Sequence, residues 1–118
     1  MEKLKVIFHV NEPDRWEVAL GNVTNLLRDV SPDMAEVRVL ANGPSISAFA
    51  DEAKLSTMQG LAEVGVKFLA CRNSLNKLGC AGEVCITVDN LPPYIGVVPA
   101  GITELIKSQT EGFAYVKP

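Results

Sequence analysis

The sequence predicts an α/β domain built on a five-stranded, mainly parallel sheet with helices on both faces. Short apolar runs alternate with longer segments whose apolar residues recur at helical spacing, and clusters of Pro, Gly and Asn separate the two. Strands joined through helices need crossover connections, which are right-handed and lay the helices against a parallel sheet. With 118 residues and 47% hydrophobic content, residues 1–118 suffice for one domain with its own core and are too few for two.

Leu-Lys-Val-Ile-Phe-His-Val, residues 4–10, reads as the first strand. Asn11-Glu12-Pro13-Asp14 breaks it, and Pro13 suits a first helical turn. Trp16, Leu20, Val23, Leu26, Leu27 and Val30 then keep a helical period, predicting a helix over residues 13–30 that Ser31-Pro32-Asp33 ends. Val37, Val39 and Leu40 mark a second strand over residues 35–41, closed by Asn42-Gly43-Pro44. Ile46 and Phe49 start a short helical pattern. Leu55, Met58, Leu61, Ala62 and Val64 carry another to Gly65, which allows a break near residues 50–51. Residues 66–70 form a third strand and 71–78 a short helix stopped by Gly79, in the manner of a C-terminal cap. Residues 82–94 mix an alternating Val84, Ile86, Val88 with the loop-like Asp89-Asn90-Leu91-Pro92-Pro93 and read as irregular. Ile95-Gly96-Val97-Val98 is a fourth strand; Ile102, Leu105 and Ile106 define a helix to about residue 111; residues 113–116 close the sheet as a fifth strand.

Composition excludes several function classes. The net charge is −3, from 11 basic and 14 acidic residues spread along the chain, which leaves no basic stripe to neutralise phosphates and disfavours nucleic acid as a partner. No apolar run approaches the roughly 20 residues of a membrane helix, and the N-terminal residues lead into a strand rather than a signal-peptide core. A cytoplasmic protein with no membrane partner is the expectation. A Gly-x-Gly-x-x-Gly turn after the first strand, a phosphate-binding Gly-x-x-x-x-Gly-Lys-Ser/Thr loop and a Gly-x-Ser-x-Gly elbow are all missing, which argues against nucleotide enzymes and serine hydrolases. One histidine and three cysteines without a Cys-x-x-Cys pair give no metal-ligand pattern. Nothing in the chain calls for a metal or a cofactor.

Ligand sites in open parallel sheets form beyond the carboxyl ends of the strands. The exits here carry His9 and Asn11, Asn42 and Gly43, Cys71 with Arg72 and Asn73, and Pro99-Ala100-Gly101. Cys71 is the chemically distinctive residue. A thiol at a strand-to-helix turn meets backbone N–H groups and a helix dipole that favour its thiolate, and Arg72 adds positive potential; burial in an apolar wall would instead raise its pKa and silence it. Both states are open at this level. His9 is either a base or hydrogen-bond donor of the site or an ordinary structural histidine. Asn11 and Asn42 are turn residues that double as candidate ligand-positioning groups, and Gly43 and Gly101 serve backbone geometry or close approach of a ligand. Cys80 lies about 13 Å from Cys71 along a helix rising about 1.5 Å per residue, beyond disulfide reach. Buried filler is the expected role of Cys80 and Cys85.

Four segments taken together carry a resemblance: Lys5-Val6-Ile7-Phe8-His9-Val10-Asn11-Glu12; Val39-Leu40-Ala41-Asn42-Gly43-Pro44; Gly65-Val66-Lys67-Phe68-Leu69-Ala70-Cys71-Arg72-Asn73-Ser74-Leu75; and Val97-Val98-Pro99-Ala100-Gly101-Ile102 with Gln109-Thr110-Glu111-Gly112-Phe113-Ala114-Tyr115-Val116-Lys117-Pro118. In that order and spacing they resemble the DsrE/DsrF-like family over nearly the whole chain. The resemblance implies a flavodoxin-like, three-layer α/β/α fold and a homo-oligomer, trimer or hexamer. It also implies a sulfur-relay role in which Cys71 carries sulfur as a persulfide between donor and acceptor proteins. Residues 82–94 depart from the family pattern and carry Cys85. Two other classes compete: a small-ligand-binding or assembly module with a packed Cys71, and a thiol peroxidase-like enzyme in which Cys80 or Cys85 resolves a sulfenate.

Overall fold

The computed structural model describes residues 2–118. Its elements are β1 (Leu4–Val10), α1 (Trp16–Val30), β2 (Ala35–Ala41), α2 (Glu52–Glu63), β3 (Lys67–Cys71), α3 (Arg72–Leu78), β4 (Cys80–Ala81), β5 (Val84–Cys85), β6 (Ile95–Val98), α4 (Gly101–Thr110) and β7 (Ala114–Val116). Short 3-10 segments fill Pro13–Arg15, Pro32–Met34, Gly43–Ala50 and Val88–Asn90. The main sheet has five strands in the order β6-β3-β2-β1-β7, and every pairing in it is parallel.

Strand order and handedness together decide where the helices go. From β1 the chain steps to β2, β3 and β6 in one direction, so right-handed crossovers put α1, α2 and α3 on one face. The step from β6 to β7 reverses direction and spans the sheet, which sends α4 to the opposite face. Two cores follow. The larger packs Trp16, Val23, Ile46, Met58 and Leu75 of the first layer against Val10, Val39 and Phe68 of the sheet. The smaller sets Leu105 of α4 and Phe113 against Ile7 and Leu40. The expected three-layer α/β/α architecture is the one found.

Alternation along the strands explains this division. Val6, Phe8 and Val10 face the larger core while Ile7 faces the smaller, so β1 is buried on both sides and reads as a continuous apolar run. Arg38 of β2 also lies under α4. Its guanidinium stacks over the Phe113 ring at 3.9 Å and donates to Ser108 Oγ and Glu111 Oε1, both at 2.9 Å. Ser108 is fully buried, and the Arg38 hydrogen bond and charge hold the Glu111 carboxyl below its usual pKa. The C-terminal turn of α4 is thereby pinned to the sheet.

Residues 82–94 hold more structure than their pattern suggests. β4 and β5 form a two-stranded antiparallel ribbon outside the main sheet, and Thr87 and Asn90 close a reciprocal capping box in the 3-10 turn that follows. The expectation for Cys80 and Cys85 is corrected here: both are exposed, and they face one another across the ribbon as a disulfide. Only Ile86 of the ribbon's neighbourhood enters the core. Denatured without reductant, the protein should take up one alkyl group per chain, on Cys71, and three after reduction, counted by intact mass. Three in both conditions would show that the pair is a dithiol.

Gly79 caps α3 as expected, but with φ of −66° its backbone is open to any residue. Space is the requirement instead. The Gly79 N–H donates to Leu75 O and its carbonyl accepts from Ile86 N–H at 2.7 Å, and a Cβ there would collide with the Leu75 and Ile86 carbonyl oxygens. Gly79→Ala should destabilise the fold by about 1–3 kcal/mol, the range for overpacking, as read from the urea midpoint.

Candidate functional site

Cys71 ends β3 and is the N-cap residue of α3, with extended φ and ψ of −77° and 117°. Its Sγ accepts a hydrogen bond from the backbone N–H of Gly101, the first residue of α4, at 3.3 Å. Burial pushes the thiol pKa up. The Ser74 hydroxyl, followed by the backbone N–H groups of Ser74, Gly101 and Asn73, more than offsets this, so the thiol is held below its ordinary value. The Ser74 hydroxyl is itself oriented: its oxygen accepts from Gly43 N–H at 2.8 Å, which leaves its hydrogen for the sulfur. Cys71 is 5% exposed. The arrangement is a buried cradle of donors that favours the thiolate, suited to nucleophilic sulfur chemistry.

The exits of β1 and β2 are clasped together beside this cradle. Asn42 N–H donates to Val10 O and Ser45 N–H to Asn11 O, each at 3.1 Å. The fully buried Ser45 hydroxyl lies 2.6 Å from Val10 O and 2.7 Å from Asn42 O, and Trp16 Nε1–H donates to Ser45 O at 2.8 Å. Gly43 is required here by conformation, with φ of +58°, and by space, since a Cβ would fall 2.5 Å from Asn11 Oδ1. This fixes the Gly43 N–H that holds Ser74.

His9 bridges the first strand to the second and the last. Its Nε2 is 2.8 Å from Asn42 Oδ1 and its Nδ1 2.6 Å from the Tyr115 hydroxyl. Asn42 also abuts Gly101: a Cβ on Gly101 would lie 3.3 Å from both Asn42 Cβ and Asn42 Nδ2. His9, Asn42, Gly101 and Cys71 therefore form one neighbourhood. Gly43 and Asn73 join it through Ser74 and the thiol, and Asn11 joins it through Gly43. Arg72 sits exposed at the first position of α3. An open groove of about 530 Å³ runs past Gly43, Asn73 and Ser74 along α3 to Asn76, Lys77 and Leu78.

Two residues of this neighbourhood, Ser74 and Tyr115, are not among the sequence candidates. Ser74 carried a readable signal, since a residue three beyond a helix N-cap faces back to it. Tyr115 carried none, because its place beside His9 depends on β7 pairing with β1, where Ile7 is matched to Tyr115. Cys80 and Cys85 lie past the other end of α3 and are bonded to each other, which leaves neither available to resolve Cys71.

Comparison with known proteins follows the same lines as the geometry. The model of the DsrE/DsrF-like family matches residues 25–118. The solved structure of MTH1491, a protein of unknown function from Methanobacterium thermoautotrophicum, superposes with a TM-score of 0.83 at 29% sequence identity, covering 98% of this chain and 100% of that one. No curated protein matches the sequence. Among the described residues no helix is long and apolar enough to cross a membrane.

Proposed function

The chain belongs to the DsrE/DsrF-like family, and from that premise we propose that it is a sulfur-relay protein carrying sulfane sulfur on Cys71. The observation that supports this most directly is the Gly101 N–H at 3.3 Å from Cys71 Sγ, together with the lowered thiol pKa. In the forward step the Cys71 thiolate attacks the outer sulfur of a donor persulfide. The donor S–S bond breaks, the donor leaves as a thiolate that takes up a proton, and Cys71–S–SH remains. An acceptor thiolate then attacks the outer sulfur and releases the Cys71 thiolate. Atoms and electrons balance without an added oxidant or cofactor. The test is intact mass after incubation with a sulfane donor, where a reducible gain of ~32 Da per chain is expected. The burial of Cys71 favours a second reading, a ligand-binding or assembly module with a packed thiol. Under that reading the mass does not change and Cys71 resists alkylation in the folded protein.

The same proposal makes the protein a homo-oligomer, trimer or hexamer. On α4, Ile102 and Ile106 stand one turn apart and are 64% and 58% exposed, and the face of the sheet that α4 covers leaves Leu69 and Val98 half-buried. Exposed apolar side chains on a helix that covers a half-buried sheet face suit contact with further copies. Light scattering should give a mass of three or six chains, and the double change Ile102→Glu and Ile106→Glu should reduce it to one.

A further inference from the structure

We propose that Tyr115, His9 and Asn42 act as one hydrogen-bonded unit that aims the Asn42 amide Nδ2 as an anion-binding donor, placed to hold the outer sulfur of a persulfide on Cys71. The sulfur in this statement rests on the carrier role proposed above. The hydrogen-bonded unit stands on geometry alone.

Polarity along the chain of contacts is set by its members. Asn42 Oδ1 only accepts, so the His9 nitrogen 2.8 Å away, Nε2, carries the ring hydrogen. In the neutral ring Nδ1 is then an acceptor, and the Tyr115 hydroxyl at 2.6 Å donates to it. Tyr115 and His9 thus act as positioning residues. They occupy Oδ1 and fix the amide plane, which leaves Nδ2 as the free donor end of Asn42.

That free end lies against Gly101. Nδ2 is 3.3 Å from where a Cβ of residue 101 would be, and the N–H of the same residue is 3.3 Å from Cys71 Sγ. A Cβ there would press on Asn42 Cβ, Asn42 Nδ2 and Leu40 Cδ2, each at 3.3 Å, so glycine at 101 lets the Asn42 amide sit against the residue whose N–H holds the sulfur. Asn42 is half-buried and no buried side-chain nitrogen or oxygen among the described residues lacks a partner, so an Nδ2 left free by its oxygen's bond to His9 is reached by solvent, and its amide protons can meet an incoming anion. In Cys71–S–S⁻ the charge resides on the outer sulfur, beyond the Gly101 N–H that holds the inner one. A donor on the Gly101 side of the cradle is what that second atom requires. Bonds of this charge-assisted kind are the stronger class.

His9 is the only histidine in the chain, so its ring nitrogens can be read without ambiguity in long-range ¹H–¹⁵N spectra of the ¹⁵N-labelled protein. The sulfur-free wild type should show the Nε2–H tautomer, and Tyr115→Phe, which keeps the aromatic ring, should move the ring toward the mixed tautomers of a free imidazole. A wild-type ring in the Nδ1–H form, or one indifferent to Tyr115→Phe, overturns the unit. The second arm measures the fraction of chains loaded at a fixed concentration of sulfane donor and the lifetime of the loaded state. Asn42→Asp keeps an acceptor for His9 but replaces the donor with an anion. It should lower loading about tenfold or more, the size expected from losing one hydrogen bond to a charged group. Tyr115→Phe should have a smaller effect in the same direction, and its effect should vanish in the Asn42→Asp background. Wild-type loading in Asn42→Asp overturns this proposal and leaves the carrier role standing. A wild type that takes up no sulfur overturns the carrier role itself, and with it the sulfur-holding role of Nδ2.

Discussion

Cys71→Ser should take up no sulfane sulfur, while the double change of Cys80→Ser and Cys85→Ser, which leaves no unpaired ribbon thiol, should keep the full mass gain. This is the largest effect expected of any single substitution, because the attacking atom is removed and a serine hydroxyl at the same position is not ionised at neutral pH. The control matters because both ribbon cysteines are exposed and, once their disulfide is opened, would be the easier targets for a non-specific reagent. A gain that follows Cys80 or Cys85 would place the chemistry on the ribbon, more than the length of α3 away from the cradle. A sulfenate-trapping peroxidase would give a different record after peroxide: a new intramolecular disulfide that includes Cys71. The Cys80–Cys85 bond leaves no thiol to form it.

The second large effect concerns pH. The folded Cys71 thiol titrates below its ordinary value, which for free cysteine is about 8.5. Alkylation of Cys71 by a small reagent such as iodoacetamide should therefore rise with pH through a midpoint below that of a free thiol. Ser74→Ala removes the hydroxyl, the largest of the groups lowering the value, while burial continues to raise it. Its midpoint should move up and its rate at pH 7 fall about tenfold, the consequence of losing one hydrogen bond to a charged group. Linkage fixes the sign for stability. A lowered folded pKa favours the fold when the thiol is ionised, so this contribution is fully present above the unfolded thiol's pKa and is lost as pH falls through the folded one. Wild type should thus gain stability over Cys71→Ser as pH rises from the folded thiol's pKa to the unfolded one's, with no such trend below that window. An unchanged alkylation profile in Ser74→Ala would mean that the hydroxyl does not reach the sulfur.

Periodicity made most of the fold legible, and its limits have identifiable physical causes. β2 and β6 begin and end where their apolar runs do, because both are flanked by turn residues that cannot extend a strand. The 3-10 segment from Gly43 to Ala50 and the N-cap of α2 at Asp51, whose side chain accepts from Lys54 N–H, account for the break expected near residues 50–51. The ribbon was illegible because each of its strands has two residues, too few for any period, and it is tied by a disulfide and by backbone bonds around Gly79. Exposure of Cys80 and Cys85 followed from the same cause, since a ribbon outside the main sheet has no wall to bury them. In the candidate site, residues at the exits of β1, β2 and β3 could be named from strand order along the chain. The contribution of β7 could not, because pairing of the last strand with the first is a property of the folded sheet.

The crossover that carries α4 over the sheet also has a consequence in time. Cys71 precedes its Gly101 donor by 30 positions, and the strand that brings Tyr115 to His9 comes later still. A growing polypeptide therefore displays the cysteine, with Asn73 and Ser74 beside it, well before the Gly101 donor has been synthesised. Until α4 docks across the far face, the sulfur lacks the Gly101 N–H, one of the donors that hold its pKa down. Completion of the cradle around the nucleophile is in this way a late event of folding.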